Sequence, residues 1–368
     1  MRVLVTGSNG FIGKNLILKL NELGHNVNCF TRTDNIHQLE DAIKKSEFIF
    51  HLAGENRTDN DQEFIHNNVL LTEALCNFVL RHAKGVPIVF TSSSKAIEDS
   101  HYGSSKLLAE KHLEALSNTN PVYIYRLPGI FGKWAKPNYN SVVATFCYNI
   151  ARNIPIDIHN EDNKVELLYI DDLMEIFIDL LEAKKTNGIE NEITLNSDLI
   201  SVRKLSEIIT KFNEKRHLGM LGDVSIGFEK KLYATFISYL PQEKFTYKLK
   251  SNFDKRGSFT EILKTHSAGQ FSYFTAAPSQ VRGEHYHHTK TEKFLIVSGT
   301  ARFTFRDVVS NEYFKIDVTA DDNTIVQTIP GWAHKIENIS DIEMISFVWA
   351  NEVFDQLNPD TFREEVDK

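Results

Sequence analysis

The chain has 368 residues, 42% of them hydrophobic and 24% charged, an ordinary globular composition with material for two cores. A net charge of −8 argues against binding nucleic acid or an anionic membrane by bulk charge, yet leaves room for a local patch that holds a small phosphorylated ligand. No apolar run approaches the roughly 20 residues of a membrane helix, and a strand pattern rather than a cleavable leader begins at Arg2.

The cysteines, Cys29, Cys76 and Cys147, are too scattered for a disulfide framework or a zinc ribbon. Reduced thiols in or near a core, in a cytoplasmic protein, are the expectation.

The first half opens with RVLVTG, followed by GKNLILKLNELG, a helical pattern that stops on Gly24. EFIFHLAG, PIVFTSS and VYIYRL follow as further buried strands, rich in Val, Ile, Phe and Tyr. Strand–helix alternation of this kind predicts βαβ units and a doubly wound parallel sheet. Between the first strand and helix lies Gly7-Ser8-Asn9-Gly10-Phe11-Ile12-Gly13, a GxxGxxG turn. Its glycines let the backbone approach a pyrophosphate, which rests on the helix N-terminus. A dinucleotide is therefore the expected cofactor. After the second strand the place of the usual acidic residue holds Thr31 and Arg32, with Asp34 beyond. Arg32 can pair with a 2′-phosphate, which favours NADP(H) over NAD; a solvated surface arginine is the plainer alternative.

Tyr102 and Lys106 of YGSSK lie four apart, on one face of a predicted helix. Spacing alone means little, because Tyr286 and Lys290 repeat it elsewhere. The weight comes from position, at the head of an amphipathic helix just after Ser92, Ser93 and Ser94. A tyrosine of reference pKa about 10 needs a nearby ammonium to exchange protons near neutrality, and a serine hydroxyl can orient a carbonyl. Ser93 aligns best with that role and Ser92 is the alternative.

TGxxGxxG, HLAG at 51–54, the serine run, YxxxK, YRLPGIFG and YIDD at 169–172 together resemble an extended short-chain dehydrogenase/reductase acting on nucleotide sugars, over about residues 1–240. The resemblance implies a Rossmann-type fold, with Leu52, Ala53 and Gly54 flanking the adenosine and Lys106 also contacting the nicotinamide ribose. Gly129 departs from the asparagine common after the proline in such proteins. The following GKWAKPNYNSV offers Lys133, Lys136, Asn138, Asn140 and Ser141 for a diphosphate and uridine; an ordinary exposed loop is equally compatible.

Near residue 240 the rhythm changes to short β-like runs: GQFSYFTAA, KFLIVSG, ARFTFRDV, NTIVQTIPG and EMISFVWANE. Regular short strands with turn signals predict an antiparallel sandwich or barrel. The boundary falls within residues 238–245, giving domains 1–242 and 243–368.

This second part carries His285-x-His287-x4-Glu292-x6-Gly299, then Pro330-Gly331-x2-His334-x3-Asn338. Imidazoles two apart on a strand share a face, and a glutamate on the next strand can complete a ligand set that His334 closes. By the same alternation His288 points away. The paired motifs resemble those of cupins, small all-β barrels with a metal inside. The metal-free reading is a barrel interior of satisfied histidines. Three nitrogens and one oxygen suit zinc, and also iron, manganese or nickel; zinc is preferred as a Lewis acid without redox. RGSFTE and VRGEHY further resemble sugar-nucleotide 3,5-epimerases, in which a histidine at the position of His285 is the base. A metal ligand cannot easily be that base, so the proton-abstracting group stays open.

Reductase followed by cupin resembles a family of bifunctional capsular-polysaccharide enzymes. The resemblance implies C3 epimerisation of a UDP-2-acetamido-2,6-dideoxy-4-hexulose and then C4 reduction, on the route to UDP-N-acetyl-L-fucosamine. A homodimer is expected by the same analogy. The alternatives are another nucleotide-4-keto-6-deoxy sugar, or a non-catalytic NADP(H)-sensing regulator with a cupin sensor.

Overall fold

The apolar runs of the first half form β1 (Arg2–Thr6), β2 (Asn26–Phe30), β3 (Phe48–His51), β4 (Ile88–Ser93) and β5 (Pro121–Leu127). Further along lie β6 (Gly129–Phe131), β7 (Lys164–Tyr169), β8 (Gly188–Glu190) and β9 (Asp198–Ser201). This is seen in a computed structural model that describes residues 1–183, 188–190 and 195–367. Among the described residues, one sheet runs β2-β1-β3-β4-β5-β8 with every pair parallel, and a smaller one runs β6-β7-β9. Parallel strands need crossovers, and helices such as Phe11–Glu22 and His101–Leu116 supply them.

Alternation along β1 shows why the sheet is buried on both faces. Val3 and Val5 pack with Leu16, Leu20 and Phe177 on one side, whereas Leu4 packs with Leu39, Ile43 and Leu75 on the other. Each such fully buried side chain contributes about 1.5–3 kcal/mol. The edge position of β2 explains a departure from expectation: Cys76 and Cys147 are buried, but Cys29 on that edge strand is exposed.

The second half forms β10 (Met220–Leu221), β11 (Ser251–Asp254), β12 (Gly257–Thr265), β13 (Gly269–Ala276), β14 (Val281–Tyr286) and β15 (Glu292–Ser298). It continues with β16 (Thr300–Asp307), β17 (Tyr313–Thr319), β18 (Ile325–Gln327), β19 (Trp332–Asn338), β20 (Met344–Ala350) and β21 (Phe362–Arg363). One sheet runs β10-β12-β13-β20-β15-β18 with β11 on β12; the other runs β17-β16-β19-β14-β21. Apart from β10 on β12 the pairings are antiparallel, as in a cupin barrel. Phe274, Phe294, Phe303, Ile336 and Val348 fill the space between the sheets, and a cavity of about 450 Å3 opens beside them.

By packing the chain divides into two units, Met1–Ile209 with Lys231–Pro241, and Thr210–Lys230 with Gln242–Lys368.

Candidate functional site

In the first unit the glycine turn is pressed against the HLAG segment. Gly7 has φ +66°, and a Cβ there would lie 2.7 Å from the Ala53 nitrogen; one on Gly13 would lie 2.4 Å from the Gly7 carbonyl. Only glycine fits both places. The Ala53 N–H donates to Thr6 Oγ1 at 3.1 Å, so β1, the turn and Leu52-Ala53-Gly54 form one cradle. No side chain caps the N-terminus of Phe11–Glu22, which leaves its first N–H groups available for an anion. This cradle fits a dinucleotide pyrophosphate, with Asn9, Gly10, Phe11 and Ile12 along it.

Arg32 does not stand free. Its side chain is 72% exposed but pairs at 2.5 Å with Glu55, whose side chain is 8% exposed. The other Glu55 oxygen accepts the Tyr139 hydroxyl at 2.9 Å. Burial opposes the Glu55 charge, but Arg32 and Tyr139 outweigh it and hold the carboxyl below its usual range.

The serines separate by strand alternation. Ser92 donates to the buried Glu110. Ser93 caps the following turn, accepting from the Lys95 N–H at 3.2 Å, and lies by the Tyr102 phenol. Burial pushes that phenol up, with Ser93 a partial offset. The ammonium expected to acidify it is turned elsewhere: Lys106 Nζ donates to the Thr91 carbonyl at 2.9 Å and lies 4.9 Å from the centre of the Phe90 ring. Burial pushes Lys106 down to about 8, and Glu110 partly restores its charge.

The loop after β6 is shaped by its own contacts. Lys133 Nζ pairs with Asp171 at 2.6 Å, and the Asn138 N–H donates to Thr145 Oγ1 at 2.9 Å. Ser141 caps the helix Val142–Ala151, while Lys136 and Asn140 are exposed. A Cβ on Gly129 would stand 3.0 Å from the Glu166 carbonyl of β7, so strand pairing disfavours an asparagine here.

In the second unit His285, His287, Glu292 and His334 each offer a ligand atom, all within 4.8 Å of one another. His285 faces His334 across the β14–β19 pair. His287 lies one residue beyond the end of β14, and Glu292 begins β15. The Nε2 atoms of His287 and His334 lie 3.4 and 3.5 Å from Glu292 Oε2, and His288 is exposed. Burial, with His334 next, drives His285 down to about 3. Burial also opposes the Glu292 charge, but His287, His334 and Lys290 hold its carboxyl well below the usual range. Three imidazoles and one carboxylate with their ligand atoms gathered in this way are a donor set that suits a divalent cation. His285, Glu292 and His334 line the cavity, together with Arg256 and Arg282.

The family model for "NAD dependent epimerase/dehydratase family" matches residues 3–194, over half the chain. The chain belongs to the NAD dependent epimerase/dehydratase family.

To this family member a "Polysaccharide biosynthesis C-terminal domain" is joined over residues 252–362. A relative from Pseudomonas aeruginosa, UDP-2-acetamido-2,6-beta-L-arabino-hexul-4-ose reductase, is 45% identical over 98% of both chains. The crystal structure of the capsular polysaccharide assembling protein CapF from Staphylococcus aureus matches with TM-score 0.91 at 39% identity, over 99% of this chain and 100% of that one. A UDP-glucuronic acid 4-epimerase from Bacillus cereus in complex with NAD shares the fold alone, at 18% identity and TM-score 0.54, over 65% of this chain and 98% of that one. The cofactor of such an epimerase/dehydratase is a nicotinamide dinucleotide.

Sequence reasoning missed several groups that shape the family site. Glu110 is held by Arg126 at 2.6 Å; its place four residues after Lys106, on the same helix face, was the available signal. Asn68, in the π-helical turn Ile65–Leu70, accepts from the Glu55 N–H at 2.7 Å and donates to Ser105 at 2.9 Å. Such turns often mark functional sites, but nothing in the sequence announces one.

Proposed function

We propose that the chain is a bifunctional nucleotide-sugar enzyme, epimerising C3 of a UDP-2-acetamido-2,6-dideoxy-4-hexulose in the second unit and reducing C4 in the first. The product lies on the route to UDP-N-acetyl-L-fucosamine for a capsular or O-antigen polysaccharide. The observation that carries this reading is the presence, on one chain, of Ser93 beside Tyr102, with Lys106 on the same helix, near a dinucleotide cradle, and of a three-histidine, one-carboxylate cluster on a cavity. The name of the Pseudomonas relative supports the substrate class.

The order of steps follows from carbanion chemistry. A C3 proton leaves at a useful rate only while C4 is a ketone, because the electron pair must delocalise into that carbonyl. Reduction removes the activating group, so epimerisation precedes it. Arg256 and Arg282 line the cavity; both lie within ion-pair distance of Asp254, so together the three leave one net positive charge for an anionic substrate. Held by His285, His287, Glu292 and His334, a divalent ion, which we assign as zinc, supplies Lewis acidity.

In the first unit a bound reduced dinucleotide supplies the hydride, and Arg32 is the reason we assign NADP(H). Ser93 holds the C4 carbonyl. Tyr102, kept protonated by burial, gives its proton to the C4 oxygen. Lys106, its Nζ held on the Thr91 carbonyl rather than at the phenol, is assigned to the nicotinamide ribose. Lys133, Asn138, Asn140 and Ser141 are assigned to the uridine diphosphate. The protein is further assigned as a cytoplasmic homodimer.

The test is NMR of the 4-keto sugar nucleotide in D2O without dinucleotide. Deuterium entering C3 only with enzyme supports the epimerase. Its absence, beside normal reduction, leaves a reductase alone. A Tyr102→Phe variant should keep the exchange and lose about 10²–10⁴-fold in reduction; unchanged reduction would sink the role assigned to Tyr102, and no reduction even by the wild type would favour the sensor reading.

A further inference from the structure

Among the described residues the loop between His287 and Glu292 pairs with no strand or helix, yet its backbone N–H groups are occupied. The Asp360 carboxylate accepts from the N–H groups of His288 at 2.9 Å, Thr289 at 2.6 Å and Lys290 at 2.7 Å, and from the Thr289 hydroxyl at 2.9 Å. The next N–H, of Thr291, donates to Asn351 Oδ1 at 2.9 Å. Three consecutive N–H groups on one carboxylate make an anion nest filled from within the chain.

The backbone of the same residue does a second thing. The Asp360 carbonyl accepts from His287 Nδ1, which fixes the proton on that nitrogen and turns Nε2 to the side of Glu292 Oε2, 3.4 Å away. An orienting hydrogen bond of this kind fixes both the tautomer and the ring plane of a ligating histidine.

The segment after Asp360 grips the other flank. β21 pairs with β14 at His285↔Arg363 and Tyr286↔Phe362. The Glu364 N–H donates to the Glu284 carbonyl at 2.9 Å, and the Val366 N–H to Glu284 Oε2 at 2.8 Å. Glu284 sits at a β-bulge with φ +62°, and the bulge sets how His285 emerges from the strand.

We infer that Asp360 is a positioning residue for the metal cluster: its carboxylate pins the loop between His287 and Glu292, and its carbonyl orients the His287 ring. The inference rests on the reading that the four-residue cluster holds a divalent cation. Asp360 sits about seventy residues from His287 and Glu292, whose connecting loop it holds. The segment from Asp360 to Val366 is thus a working part of the centre.

The test uses the full chain, stripped by a chelator and titrated with Zn²⁺ against a chromophoric chelator. Asp360→Ala and the milder Asp360→Asn are compared with Asp367→Ala, which cuts a different tie of the same segment, to Lys335 and Tyr313. The wild type should bind about one equivalent, and Asp360→Ala should bind roughly 10- to 100-fold more weakly and release Zn²⁺ faster. Asp360→Asn should fall between them, since an amide keeps one acceptor oxygen. Asp367→Ala should lower the thermal midpoint yet leave the zinc dissociation constant unchanged.

Equal affinity in wild type and both Asp360 variants overturns the inference while sparing the metal reading. An affinity loss as large in Asp367→Ala also overturns it, because general loosening of the barrel then suffices. Failure of the wild type to bind Zn²⁺, Fe²⁺, Mn²⁺ or Ni²⁺ removes the metal reading and the inference together.

Discussion

His285 and His334 stand opposite each other on β14 and β19, their ring centroids 4.6 Å apart at an interplanar angle of 78°. Two imidazoles this close repel if both are protonated, and neutral they present lone pairs to a shared cation. Replacing His334 by alanine should abolish stoichiometric metal binding and C3 deuterium exchange. Reduction of an already epimerised 4-keto substrate should continue. Elemental analysis with the two assays checks this; exchange that persists in a metal-free variant moves the epimerase away from the cluster.

Lys106 is a buried charge that burial disfavours. Burial lowers it from 10.5 to about 8, equivalent to ~3 kcal/mol against the charged folded form. Between those values the unfolded chain holds a proton that the folded chain lacks, so stability rises with pH there; below 8 the whole cost is present. Lys106→Met should therefore lose reduction but raise the thermal midpoint by a few degrees at pH 7, despite losing the Thr91 hydrogen bond. The advantage should shrink as pH climbs from 8 toward 10.5. A lower midpoint at pH 7 would refute this balance.

His51 sets an acid limit. It is fully buried between Thr6 Oγ1 and Thr72 Oγ1, each at 2.8 Å, and burial, with Lys106 next, pushes it down to about 3. From pH 6.5 downward the unfolded chain gains a proton that the folded chain refuses, so stability falls with acidification over that window. His51→Gln should flatten this part of the midpoint-against-pH curve. Coincident slopes for the two proteins would show that other groups control it.

Arg32 should decide between dinucleotides in spite of its pairing with Glu55. Arg32→Ala is expected to reduce kcat/KM for NADPH about 10- to 100-fold, the value of a charge-assisted contact. NADH should be nearly unaffected. An equal fall with both would identify Arg32 as a strut for Glu55 and Tyr139 instead.

The local motifs were legible in the sequence because neighbouring residues carry them. GxxGxxG after a strand, Tyr102 and Lys106 four apart, and the spacing from His285 to Glu292 depend only on backbone period and chain direction. The same is true of the change from helix-spaced to strand-spaced apolar residues near residue 240.

Other features needed the folded chain, since they join residues far apart in sequence or depend on strand phase. In the sequence Ser93 is preferred to Ser92 by alignment only; pleat alternation sends Ser92 to Glu110 and Ser93 to Tyr102. Arg32 looked free until the fold brought Glu55 and Tyr139 to it. Asp360 lies some seventy residues beyond His287 and carries no motif, yet its oxygens meet that loop. Spacing, position in the chain and family resemblance pick out the candidate residues, whereas long-range packing and hydrogen bonding decide how each is aimed, buried and charged.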